Sequence, residues 1–62
     1  MNPLEIEIQA IIEQYQLGNI GLEERNYLLL EIKDVKAAQE CASDEQTFRY
    51  VVALCDVALA FA

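Results

Sequence analysis

An all-α fold is what this sequence predicts: a three-helix chain, a helical hairpin plus an N-terminal helix, whose bundle is completed by a homo-oligomer. Three observations predict it. Apolar residues recur at helical spacings of three and four along most of the 62 residues. Cap and turn signals at Asn2–Pro3, Gly18–Gly21 and Ser43 divide the chain into three segments of helical length. The last thirteen residues, Tyr50 to Ala62, hold twelve apolar residues and one charge, Asp56. A helix that is apolar on every side must be buried. A chain this short buries only about 60% of its unfolded surface when it folds alone. A second copy is the expected cover, with a dimer favoured.

The first helix is expected over about residues 3–16 of a single domain spanning 1–62. Asn2 caps it, Pro3 fits its first position, and Glu5 stands where a capping-box carboxylate belongs. Leu4, Ile8, Ile11 and Tyr15 follow at 4-3-4 spacing, with Ile12 widening the stripe and Ile6 off it. Gly18 ends the helix, because a left-handed residue is needed there. Gly21 takes the next N-cap position, and Glu23 and Glu24 suit the start of a helix dipole.

The second helix is expected over about 22–42, with Leu28, Ile32 and Val35 as its inner row, Ala42 at its end and Gln39 interrupting it. Glu31, Asp34 and Glu40 mark its wet side, and Glu40 is four residues from Lys36. The third helix is expected over about 44–61. Ser43 is its cap and Gln46 the reciprocal capping-box partner, ahead of an apolar run. The bland alternative is that the second helix runs through Ala42 unbroken. Phe48, Val52, Cys55 and Leu59 form one face of the third helix; Val51, Leu54, Ala58 and Phe61 form another. One face packs on the first two helices and the other needs a partner. The expected core and interface residues are Leu28, Ile32, Val35, Phe48, Val51, Val52, Cys55, Leu59 and Phe61.

Composition argues against several function classes. The net charge is −7, with 11 acidic and 4 basic residues and no histidine. A nucleic-acid-binding face would be basic, and Arg25, Lys33, Lys36 and Arg49 are too dilute to make one. Without histidine there is no Ser-His or Cys-His pair, and Ser43, the one serine, is accounted for by capping. The two glycines sit in a helix connector and form no phosphate loop. Enzymatic activity is therefore not expected, and neither is a cofactor. Glu23–Glu24 and Glu31–Asp34 are the acidic pairs nearest to a hard-cation site, but solvated helix faces explain them better.

Cys41 and Cys55 read as small buried hydrophobes. With a turn near Ser43 they stand about 15 Å apart in height along a hairpin, against the roughly 7 Å a disulfide spans. Two cysteines without histidine make a poor zinc site. The N-terminus has no basic region or long apolar run, and the C-terminal thirteen residues fall short of the roughly 20 a membrane helix needs. A cytoplasmic protein without membrane insertion is expected.

Asp56 lies inside the apolar segment, where an unpaired buried carboxylate is costly. It has three candidate roles: a solvent-facing strip, an ion pair with Arg49 or a base of a second chain, or a register-setting group in an oligomer.

The stretch IIEQYQLGNIGLEERNYLLLEIKDVKAAQECASDEQTFRY resembles small acidic helical proteins encoded in the early regions of lambdoid bacteriophages. Its likeness is one of shape: a helix, a Gly-x-Ile turn, a Glu-Glu start and a Leu-rich second helix. The Tyr-x-x-Gly-x-Ile-x-x-Glu-Glu turn also looks like short helical-hairpin oligomerisation modules of bacterial proteins, which usually have Ser or Thr where Gly21 stands. The phage resemblance implies a non-enzymatic accessory protein acting in the host cytoplasm through protein contacts, on the host or on phage development. It carries over no functional residues. The alternatives are an assembly chaperone docking another chain by its C-terminal helix, and an acidic nucleic-acid mimic that blocks a basic host protein.

Overall fold

The computed structural model describes residues 2–61. Its first helix, α1, is Pro3–Gln16. The Asn2 side chain accepts from the Leu4 amide at 2.8 Å, so the expected cap is in place. The helix ends in a Schellman motif. Gly18 sits at φ 79, its amide bonds to the Tyr15 carbonyl at 3.0 Å, and the Asn19 amide to the Gln14 carbonyl at 2.9 Å. A β-carbon at Gly18 would meet open space, so glycine is required there by backbone angle alone.

The second helix, α2, covers residues 22–40 in three consecutive stretches: Leu22–Glu31, the π-helical Ile32–Lys36, and Ala37–Glu40. Gly21 is its N-cap and supplies no side-chain bond. In the π-helical turn the Ala37 amide reaches the Ile32 carbonyl, five residues back. This turn resets the buried face. The residues that point inward are Arg25, Leu29, Ile32, Ala37 and Cys41, spaced 4-3-5-4. The expected row through Leu28, Ile32 and Val35 therefore needs correction. Ile32 is fully buried, Leu28 is half-buried, and Val35 is 46% exposed while Ala37 takes the inner place. Before the turn Leu29, not Leu28, takes the inner place, in register with buried Arg25 four residues earlier. After Ile32 the π-helical turn breaks the roughly 100° per residue that helical periodicity assumes.

Helix α2 stops at Glu40 rather than near Ala42, and a turn separates it from the third helix, α3, Glu45–Ala60. The cap of α3 is Asp44, not Ser43. The Asp44 carboxylate accepts from the Thr47 amide at 3.1 Å and the Thr47 hydroxyl at 2.6 Å. Ser43 and Gln46 are exposed, and no capping box forms between them. A charged acceptor at a helix N-terminus outcompetes a neutral hydroxyl, and Thr47 gives Asp44 a second donor.

The core joins Leu4, Ile8 and Ile11 of α1 to the α2 row and to Val51, Cys55 and Ala58 of α3. Leu4, Leu29, Ile32 and Val51 are at most 1% exposed, and each such aliphatic side chain contributes about 1.5–3 kcal/mol on burial. The α3 row combines the two expected faces. Val51, Cys55 and Ala58 lie on the axis between them, with Phe48, Val52, Leu54 and Leu59 half-buried on its flanks. Both expected faces of α3 thus contribute to covering α1 and α2.

Candidate functional site

Polar clasps link the helices around this core. Lys36 of α2 pairs with Glu7 of α1 at 2.5 Å, and Lys33 of α2 with Asp56 of α3 at 2.7 Å. Each carboxylate raises the pKa of its lysine, first through the hydrogen bond. The Tyr50 hydroxyl of α3 donates to Glu5 of α1 at 2.5 Å, which raises the phenol above its usual range. Glu5, positioned for a capping box, is thereby turned towards α3. Asp56 takes Lys33 as its partner, while Arg49 pairs with Glu45 at 2.8 Å within α3. Lys36, four residues from Glu40, is drawn across to α1 instead.

Arg25 is the functional-looking residue that sequence reasoning missed. It is 4% exposed. Its guanidinium donates to the Phe61 carbonyl at the C-terminal end of α3 and to the Asn26 side chain, and it lies 4.8 Å from the centre of the Tyr15 ring. A cation at a helix C-terminus meets the negative end of the dipole. A pocket of about 290 Å³ surrounds it, lined by Ile12, Tyr15, Gln16, Ala58 and Phe61. Its signal is the 4-3 spacing Arg25–Leu29–Ile32, which is obscured because a charge at an inner helical position breaks the apolar pattern.

Each helix leaves apolar residues outside the core. On α3 these are Tyr50, Ala53, Val57, Ala60 and Phe61, with Tyr50 49%, Val57 57% and Phe61 70% exposed. Tyr50, Ala53, Val57 and Ala60 are spaced 3-4-3, a single helical stripe. The charged residues one turn away from it, Arg49 and Asp56, are both engaged in the ion pairs above. On α2, Tyr27, Leu30 and Val35 are exposed beside Glu31 and Asp34, and these five residues line one shallow groove. On α1, Ile6 stands outside the core, and Leu17 lies exposed just beyond the last turn.

The expected interface residues therefore divide. Ile32, Val51 and Cys55 lie in the core; Leu28, Phe48, Val52 and Leu59 pack against it; Val35 and Phe61 face outward. Cys41 and Cys55 are free and buried. Burial pushes the Cys55 thiol up, which keeps it protonated and unreactive at neutral pH. Among the described residues no group of three or more His, Cys, Asp or Glu has metal-holding geometry, and no helix is long and apolar enough to cross a membrane. Glu31 and Asp34 meet as the rim of the α2 groove, whereas Glu23 and Glu24 lie in the first turn of α2. No family model, curated protein or solved structure matches this chain.

Proposed function

We propose that this protein is a non-enzymatic interaction module that forms a homodimer through the outer stripe of α3. The stripe Tyr50–Ala53–Val57–Ala60 carries the reading. It has the 3-4-3 spacing of a helix–helix seam, its alanines permit close approach, and the α3 charges beside it, Arg49 and Asp56, are in ion pairs. A chain of net charge −7 repels its own copy; this face is where that repulsion is least. The resemblance to early lambdoid proteins supports placing such a module among phage-type accessory or regulatory proteins that act by contact.

Sedimentation equilibrium over a concentration series tests the proposal. The expected result is a dimer that Val57→Glu converts to a monomer with its helicity kept. A wild-type chain that stays monomeric to the highest concentrations, or a dimer indifferent to Val57→Glu, refutes it.

A further inference from the structure

A second surface differs in character from the α3 stripe. Tyr27, Leu30 and Val35 of α2 are 66%, 43% and 46% exposed. With Glu31 and Asp34 they line a groove of about 280 Å³. The π-helical turn builds this groove. In an unbroken α-helix, residue 35 would stand about 60° from Ile32 and about 20° from half-buried Leu28, at the edge of the core. The five-residue turn brings Ala37 inward and leaves Val35 outside, in the groove with Tyr27 and Leu30.

The charge of this face follows from the same turn. Its two lysines, Lys33 and Lys36, are drawn to Asp56 of α3 and Glu7 of α1. Glu31 and Asp34 stay behind and make no ion pair among the described residues. Among the described residues, Glu7, Glu45 and Asp56 are the carboxylates in ion pairs. The groove is thus an apolar floor with an acidic rim whose two nearby lysines are bonded elsewhere, to Asp56 and Glu7, and attract Asp34 and Glu31 only at longer range. A second copy would bring more negative charge to that rim. A helix carrying lysine or arginine beside an apolar stripe would satisfy both floor and rim.

We propose that this outer face of α2 is a docking site for a cationic amphipathic helix of another protein. Tyr27 to Val35 spans about 12 Å of helix axis, enough to seat two turns of such a partner. Tyr27, 66% exposed, also puts an aromatic ring within reach of an incoming cation. This surface shares no residue with the α3 stripe, so its test is independent of dimerisation through that stripe.

The test uses a fluorescent synthetic helix with leucines at helical spacing and flanking lysines, and a matched peptide with glutamates in place of the lysines. Anisotropy titrations are run on the full chain, on Glu31→Gln/Asp34→Asn and on Glu23→Gln/Glu24→Gln, which removes equal charge elsewhere on α2. The lysine peptide is expected to bind and the glutamate peptide not. The Glu31/Asp34 change should weaken binding about tenfold and the Glu23/Glu24 change less than about twofold. Equal weakening by both double variants, or no binding of the lysine peptide, overturns the proposal. Loss of peptide binding in Val57→Glu would move the peptide to α3 and also overturn it. Tighter self-association of Glu31→Gln/Asp34→Asn in competition with the peptide would assign the face to a second copy, and so against it.

Discussion

Deleting Val35 is predicted to leave the protein folded. Ile32 and Ala37 are both buried, five residues apart. At about 100° per residue, a residue five positions further along a regular α-helix lies about 140° round, and one four positions further about 40°. Removing Val35 turns the inward spacing 4-3-5-4 into 4-3-4-4, which a plain α-helix satisfies. Both lysine clasps survive, because Lys33 precedes the deletion and Lys36 follows it. Deleting Leu30, which is 43% exposed against 46% for Val35, removes a similarly exposed side chain. That cut falls between Leu29 and Ile32 and rotates everything beyond it by about 100°. Ile32 would leave the core, at about 1.5–3 kcal/mol for that side chain alone, with Ala37 and Cys41 following. Urea unfolding followed by circular dichroism should place the Val35 deletion within about 1 kcal/mol of wild type and the Leu30 deletion more than about 3 kcal/mol below it. Similar losses from the two deletions would refute the account of the π-helical turn.

Three further outcomes are expected. Val51→Ala removes two buried methyl groups and should cost about 2–3 kcal/mol in urea unfolding, transfer and residual cavity together, whereas Val57→Ala on the outer stripe should stay within about 0.5 kcal/mol. Arg25→Met should lower stability by about 1.5–3 kcal/mol, through loss of charge-assisted hydrogen bonds, and should speed amide exchange in the last turn of α3; unchanged exchange there would mean that the Phe61 contact does not hold the helix end. The hydrogen bond from Thr47 holds Asp44 below its usual 3.8, so its capping contribution is complete above that value and fades as pH falls through the lowered one. Acid unfolding should accordingly be less steep in Asp44→Asn, which keeps an acceptor without the titration, and unaltered in Ser43→Ala.

Local signals were legible in the sequence where one residue decides the outcome. Asn2 and Pro3 start α1, Gly18 ends it, and Leu4, Ile8 and Ile11 fall on one unbroken stripe. On α2 the run Leu28–Leu29–Leu30 gives no contrast to mark Leu29 as the inner residue, and beyond Ile32 the π-helical turn depends on tertiary contacts and leaves no periodic trace. The segment Ser43-Asp44-Glu45-Gln46-Thr47 holds two overlapping cap signals, and only the reciprocal fit of Asp44 with Thr47 separates them. On α3 the two apolar faces could be read but not the axis between them, since nearly every position is apolar and no polar contrast marks the inside. The outer stripe and the α2 groove appear only once the core has claimed its residues.

The three clasps have a consequence for topology. Three consecutive helices can turn about a common core in either of two hands, and an apolar core of this kind packs nearly as well in both. Glu5 and Glu7 are about 200° apart around α1, and they reach α3 and α2 respectively. Lys33 of α2 and Asp56 of α3 close the remaining side. Each helix pair therefore has its own polar link, and in the opposite hand Glu5 would be turned to α2 and Glu7 to α3, with the partners misplaced. These surface contacts act less by strength than by discrimination: they penalise the mirror arrangement that hydrophobic burial alone would tolerate.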